Sequence, residues 1–248
     1  MKALVIGAHL DDSILAVGGL LRKIANSGGQ VDVVCFGNSD EDFADVRDRD
    51  TAPARFLEKA RRAHKILGVN TFECFNYSDY AVQENRETYR LCIESIRKYQ
   101  PDVIFSHYWA EYFQHRAMAR LASDSWWQAA WTCSADLGPA WKAKALYHFE
   151  VIHALPEPTD IVDISETFAA KMEAWHCFDA NSPEPCRDSG DMPQRAYGAT
   201  AGGTLAEQLE TRARYYGSLI GVQYGEALRR SYYLPKVIRT VGQFYESL

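Results

Sequence analysis

Four apolar residues, Ala3-Leu4-Val5-Ile6, run straight into Gly7-Ala8-His9-Leu10-Asp11-Asp12 and then into a stretch of helical periodicity. This junction constrains the fold more than any other part of the chain. A short apolar run of this kind suits a buried parallel strand. Apolar residues at 14, 15, 17, 20, 21 and 24 then mark one face of a helix over Ser13 to Ala25. Gly18-Gly19 lies inside it, at a cost of about 1 kcal/mol each against alanine, which points to a close packing contact. Ser27-Gly28-Gly29 ends the helix and Val31 to Phe36 reads as a second strand. Strand, helix and strand make a right-handed βαβ unit. One imidazole and two adjacent carboxylates therefore stand at the carboxyl end of a first strand, where open α/β sheets collect ligands.

The same alternation continues. The acidic, turn-rich residues 37–53 form a loop on that sheet edge, followed by a helix over Ala54 to Leu67 closed by Gly68. Strands are expected at Thr71 to Asn76, Asp102 to Ser106, Lys144 to Ala154 and Asp160 to Ile164. Helices are expected at Asn85 to Tyr99, Glu111 to Ala130, Glu166 to Phe178 with Ser165 as its cap, and Leu205 to Leu219. Gly221 to Arg229 reads as a bend and a short segment. The pattern predicts one α/β domain over 1–248, a Rossmann-like, mostly parallel sheet with helices on both faces and a less regular C-terminal third. Residues 179–203, rich in Pro, Gly, Asp and Ser, are long for a loop, so 179–248 is assigned to a lid or an oligomer contact. Trp126, Trp127 and Trp131 read as core or subunit contact, and a homo-oligomer is expected.

Composition narrows the function. A net charge of -6 argues against nucleic acid as partner, and no apolar run approaches the length of a membrane span. The six cysteines (35, 74, 92, 133, 177 and 186) include no C-x-x-C pair and read as reduced thiols. With no leader pattern at the N-terminus, a cytoplasmic protein acting on a small molecule is expected.

Of seven histidines, His9 and His107 fall at strand ends on one edge, and His115 lies eight residues beyond His107. The mouth of the sheet can gather His9, Asp12, His115 and also His107. Three protein ligands with a fourth position open is the arrangement of catalytic rather than structural zinc. Asp11 would stand beside the activated water as its proton acceptor. The plainer alternative is that Asp11 or Asp12 simply caps the helix.

Ala8-His9-Leu10-Asp11-Asp12 resembles the A-H-P-D-D signature of the PIG-L/LmbE-type zinc N-deacetylases. The stretch His107 to Ala117 (HYWAEYFQHRA) resembles the family's second motif, near H-x-D-x-H-x-D-H-R-A. Arg55-x-x-Glu58, Pro158 to Ser165, Lys171 with His176, and Tyr224-Gly225-Glu226-Ala227 are similar to further family features. The resemblance implies a Rossmann-like fold, Zn2+ as cofactor, His9, Asp12 and His115 as its ligands and Asp11 as general base. It implies removal of an N-acetyl group from a small molecule such as an amino sugar.

This chain departs from the motifs at several positions. Leu10 replaces a proline, Ala110 and Gln114 replace two aspartates, and Tyr112 stands where the family has a histidine that stabilises the oxyanion. A phenol can donate the same hydrogen bond without positive charge. Gln114 can still accept a hydrogen bond from a histidine. Arg55, Asp79, His107 and His176 are the expected substrate-facing residues. Their structural alternatives are an ion pair with Glu58 for Arg55, a turn for Asp79 and helix-dipole compensation for His176. His148 and His153 read as core or surface, and His64 as solvated. A hydratase of an unsaturated keto-acid on the same fold is the second enzyme class. A phosphoacceptor receiver domain is the remote binding alternative, and it lacks its lysine because position 107 is histidine.

Overall fold

The computed structural model describes residues 1–43, 46–178 and 204–232. Its strands are β1 (Lys2–Gly7), β2 (Gln30–Gly37), β3 (Thr71–Tyr77), β4 (Val103–His107), β5 (Ala145–Phe149), β6 (Asp160–Asp163) and β7 (Gly225–Arg230). Its helices are α1 (Asp12–Asn26), α2 (Ala52–Leu67), α3 (Arg86–Tyr99), α4 (Phe113–Ala129), α5 (Phe168–His176) and α6 (Leu205–Ile220). The seven strands make one sheet in the order β3-β2-β1-β4-β5-β7-β6. The first five are mutually parallel, and β7 runs antiparallel to both β5 and β6.

Alternation along β1 explains the layers. Ala3 and Val5 join a core with residues of α1, α2 and α5, while Leu4 and Ile6 join a second core with α3 and α4. A strand buried on both faces has no polar side to show, which is why its sequence is continuously apolar. The chain leaves β1 toward β2 on one side and later returns to place β4 on the other. The carboxyl ends of β1 and β4 thus flank the reversal in strand order, the position where α/β sheets open a crevice.

The glycine pair in α1 serves packing. Val17 leaves helical geometry (φ -129°, ψ 16°), and the Glu226 carboxylate accepts from the Gly19 and Leu20 N–H groups at 3.0 and 2.8 Å. A Cβ on Gly19 would stand 2.8 Å from Ile164, so only glycine fits. Lys171 Nζ donates to the same Glu226 at 2.6 Å, a pair buried on both sides.

Several expected elements differ in extent. α4 begins at Phe113, with Tyr112 in extended geometry at its N-cap. α5 begins after Thr167, because Ser165 turns its hydroxyl to Asp163 (2.7 Å) instead of capping the helix. β5 stops at Phe149, since the N–H groups of residues 151–153 all turn to the Glu111 carboxylate. The tail expected to be a bend is strand β7, inserted between β5 and β6. Residues 204–232 are therefore part of the sheet and its covering helix, not a lid. The rest of the C-terminal region, 179–203 and 233–248, lies outside the described residues. No helix among the described residues is long and apolar enough to cross a membrane.

Candidate metal centre

Asp12, in the first turn of α1, is the pivot of the site. Its Oδ2 accepts the backbone N–H groups of Ala8 (3.0 Å) and His9 (2.6 Å), which folds the turn after β1 back onto the helix start. Its Oδ1 lies 3.3 Å from His115 Nε2. His9 Nδ1 is 3.6 Å from Asp12 Oδ2 and 3.1 Å from His115 Nε2. The donor atoms of His9, Asp12 and His115 all lie within 4.8 Å of one another. Two imidazole nitrogens and one carboxylate oxygen meet at a point, brought from the carboxyl end of β1 and the start of α4.

The groups behind each imidazole fix which nitrogen faces inward. His9 Nε2 stands 2.6 Å from Gln114 Oε1, so its N–H is on that side and Nδ1 carries the free lone pair. His115 Nδ1 stands 3.4 Å from Glu111 Oε2, which leaves Nε2 facing Asp12. The other oxygen of Glu111 takes three backbone N–H groups, from Val151, Ile152 and His153, at 2.8 to 3.1 Å. Gln114 was legible as an orienting group; Glu111 was not singled out, although its i,i+4 spacing to His115 is a readable signal.

Electrostatics match a cation-binding arrangement. Burial alone would raise the Asp12 carboxyl, but His107, His115 and His9 hold it well below the usual carboxylate range. Burial alone would lower His9, yet the Asp12 charge and hydrogen bond push it up to about 10. Two imidazole nitrogens and a carboxylate oxygen converging where the surrounding charge favours a cation fit a divalent ion of borderline softness.

Asp11 is the N-cap of α1 and 2% exposed, yet its side chain makes no capping bond. Burial first, then the Asp12 charge, push its carboxyl up to about 7. Tyr112 stands 37% exposed above the cluster, its ring 6.4 Å from His9 and nearly parallel to it, and edge-on to His115 at 5.0 Å. Burial and the Asp12 charge push its phenol up to about 12, so it keeps its proton as a donor.

The expected substrate-facing residues separate. Asp79, after β3, is buried and takes the Glu41 N–H at 3.3 Å on Oδ2. Burial pushes its carboxyl up to about 6, with His9 opposing, so the two are close enough to interact. Its Oδ1 would stand 2.8 Å from a Cβ on Gly37, which keeps that position glycine. Arg55 lies in the first turn of α2, partly buried, at the mouth of the loop after β2. His176 is exposed at the end of α5, and its imidazole is not among the groups meeting at His9.

His107 is a correction. It is 0% exposed, stacked on His115 at 4.1 Å, with Nε2 3.0 Å from Asp12 Oδ2. A ring with no surface cannot meet substrate; it supports Asp12 from beneath. Burial lowers it to about 4, so it stays neutral, with Nε2 3.0 Å from both the Ala8 N–H and Asp12 Oδ2. His64 is another correction: it is buried, bonded to Ser13 Oγ (2.8 Å) and the Ala60 carbonyl (2.7 Å), not solvated. His148 is core, donating from Nδ1 to the His107 carbonyl at 2.6 Å.

Residues 4–126 match the model of the GlcNAc-PI de-N-acetylase family, PIG-L. The chain is 25% identical over 240 residues to diacetylchitobiose deacetylase of Thermococcus kodakarensis, covering 92% of this chain and 82% of the relative. Over 112 residues it is 31% identical to 4-oxalmesaconate hydratase of Pseudomonas putida, 43% of each chain. Among solved structures, N,N'-diacetylchitobiose deacetylase from Pyrococcus horikoshii, complexed with an inhibitor, superposes with a TM-score of 0.78 at 23% identity. That match covers 95% of this chain and 87% of the other.

Proposed function

With residues 4–126 belonging to the PIG-L family, we propose that the protein is a metal-dependent hydrolase that removes an N-acetyl group from a small amine, an amino sugar first among candidates. The observation that carries the reading is the convergence of His9, Asp12 and His115 beside the buried Asp11. Both deacetylase likenesses, one in sequence and one in fold, extend over more than nine-tenths of the chain.

His9 through Nδ1, His115 through Nε2 and Asp12 through Oδ1 would hold the ion, for which zinc suits the donor set. When bound, it supplies Lewis acidity that polarises an acyl oxygen and makes water easier to deprotonate. Asp11 takes the proton from the attacking water and returns it to the nitrogen as the C–N bond breaks, releasing acetate and a free amine. The Tyr112 hydroxyl donates to the oxygen on which negative charge develops. Gln114 and Glu111 keep the two imidazoles turned, and His107 keeps Asp12 turned, so no reorganisation is needed during the step. Asp79, after β3, and Arg55, in the first turn of α2, would take substrate hydroxyls.

The test is acetate release from a panel of N-acetyl compounds that includes N,N'-diacetylchitobiose, with and without a chelator. Stoichiometric acetate that disappears on chelation supports the reading. Hydration of an unsaturated keto-acid without acetate would establish the second reading instead, which a hydratase likeness in sequence over 43% of the chain and in fold over 97% of it, together with the Tyr112 replacement, favours. Zinc and the oligomeric state are read out in the same preparation by metal analysis and sedimentation.

A further inference from the structure

We propose that Cys35 on β2 and Cys74 on β3 are a peroxide-sensitive dithiol, which closes to a disulfide across the two strands and loosens the seat of His9. The two residues are direct partners in the parallel ladder, so their side chains leave the same face of the sheet. Adjacent strands lie about 4.8 Å apart, inside the Cα separation of roughly 4.4–6.8 Å that a disulfide spans. Both thiols reach one acceptor, the Gly37 carbonyl, with Cys35 Sγ at 3.8 Å and Cys74 Sγ at 3.4 Å. The Cys74 sulfur also accepts the Asn76 N–H at 3.4 Å. The register shifts immediately after this pair, which leaves the strand ends able to adjust.

The roles of the two sulfurs differ. The hydrogen bond from Cys35 lowers the Cys74 thiol to about 7, although burial opposes it, whereas burial pushes the Cys35 thiol well up. Cys74 is half-buried and Cys35 fully buried. Reactive thiols are ionised, accessible and set beside a resolving partner. Cys74 is therefore the attacking sulfur. Its thiolate attacks one oxygen of hydrogen peroxide; the O–O bond breaks, leaving a sulfenic acid on Cys74 and hydroxide, which takes up a proton. The Cys35 sulfur then attacks the Cys74 sulfur, the S–S bond forms, the S–O bond breaks and water leaves. Two thiols are oxidised and one peroxide is reduced to two waters.

The consequence passes through Gly37. Its N–H donates to the Ala8 carbonyl at 2.7 Å, and a Cβ there would stand 3.5 Å from His9 Cδ2. Disulfide formation removes the thiol contacts to the Gly37 carbonyl and pins β2 to β3 two residues before the glycine that backs His9. This effect rests on the metal reading; the disulfide itself does not.

The experiment treats the full-length protein with hydrogen peroxide, alkylates remaining thiols with N-ethylmaleimide and maps tryptic peptides without reductant. Peptides 24–47 and 66–86, which carry Cys35 and Cys74, are expected joined and to separate with dithiothreitol. In Cys35→Ser, Cys74 is expected as a sulfenic acid that dimedone captures, with no cross-link. Recovery of both peptides singly alkylated, or either joined to another cysteine, overturns the proposal. Zinc affinity, measured against a chromophoric chelator, is expected to fall at least several-fold on oxidation and to return on reduction. Unchanged affinity with the disulfide formed overturns the link to His9, whereas a reduced wild type that binds no zinc defeats the metal reading alone.

Discussion

At the residue scale, one short motif holds two kinds of group: His9 and Asp12 converge with His115, while the Asp11 carboxyl beside them makes no capping bond to the helix it begins. Asp11→Asn is expected to cut turnover by about two to four orders of magnitude. Its metal content, measured by atomic emission, should stay at wild type. Tyr112→Phe keeps the ring against His9 and loses only the donor, so kcat should fall by about 10²-fold or more with little change in KM. His64 makes a stability prediction. Burial lowers it to about 4 against an unfolded value near 6.5, so the unfolded chain binds the extra proton between those values. Stability is complete above about 6.5 and falls by about 3 kcal/mol as pH drops toward 4. Urea midpoints across that range should show the slope, and His64→Asn should flatten it.

What was readable at this scale was local. His9, Asp11 and Asp12 share one turn, and His115 follows a strand end by a short step. His107 was misplaced because its position at a strand end says which edge it occupies, not whether the ring lies above or beneath the carboxylate. The burial of His64 was available in the helical face it shares with Phe56, Ala60, Ala63 and Leu67, but its charged neighbours in sequence masked it.

At the element scale, α1 is organised by a break rather than by continuity. Glu226 takes the N–H groups that Val17's departure from helix leaves open, and Lys171 compensates its charge. Glu226→Gln leaves a buried ammonium without its counter-charge, and a loss of about 3 kcal/mol is expected in chemical denaturation. A close packing contact at Gly18-Gly19 was readable from the sequence; the carboxylate that stabilises it, about two hundred residues later, was not. The loop after α4 shows the same limit. Arg97 donates to five backbone carbonyls, those of Ala129, Trp131, Cys133, Ser134 and Gly138, an arrangement that no periodicity announces.

At the scale of the whole molecule, the site joins two parts of the sheet that are contiguous only in space, the turn after β1 and the start of α4. An ion held by both is a cross-link of the native state alone. Saturating zinc at about a hundred times its Kd is therefore expected to add about 2.7 kcal/mol to unfolding, and a chelator should lower Tm correspondingly. The parallel half of the sheet was legible because βα alternation dictates it. The antiparallel edge was not, since β7 is short and its partners β5 and β6 precede it in the chain by more than sixty residues.

That late insertion has a consequence for synthesis. Until residues 225–230 have emerged from the ribosome, β5 carries an open hydrogen-bonding edge and β6 has no partner at all. The nascent chain therefore passes through a stage in which most of the protein is made but one flank of its sheet can adhere to another chain. Chains arrested before Gly225 should be the ones that chaperones retain, and chains arrested after Arg230 should be released.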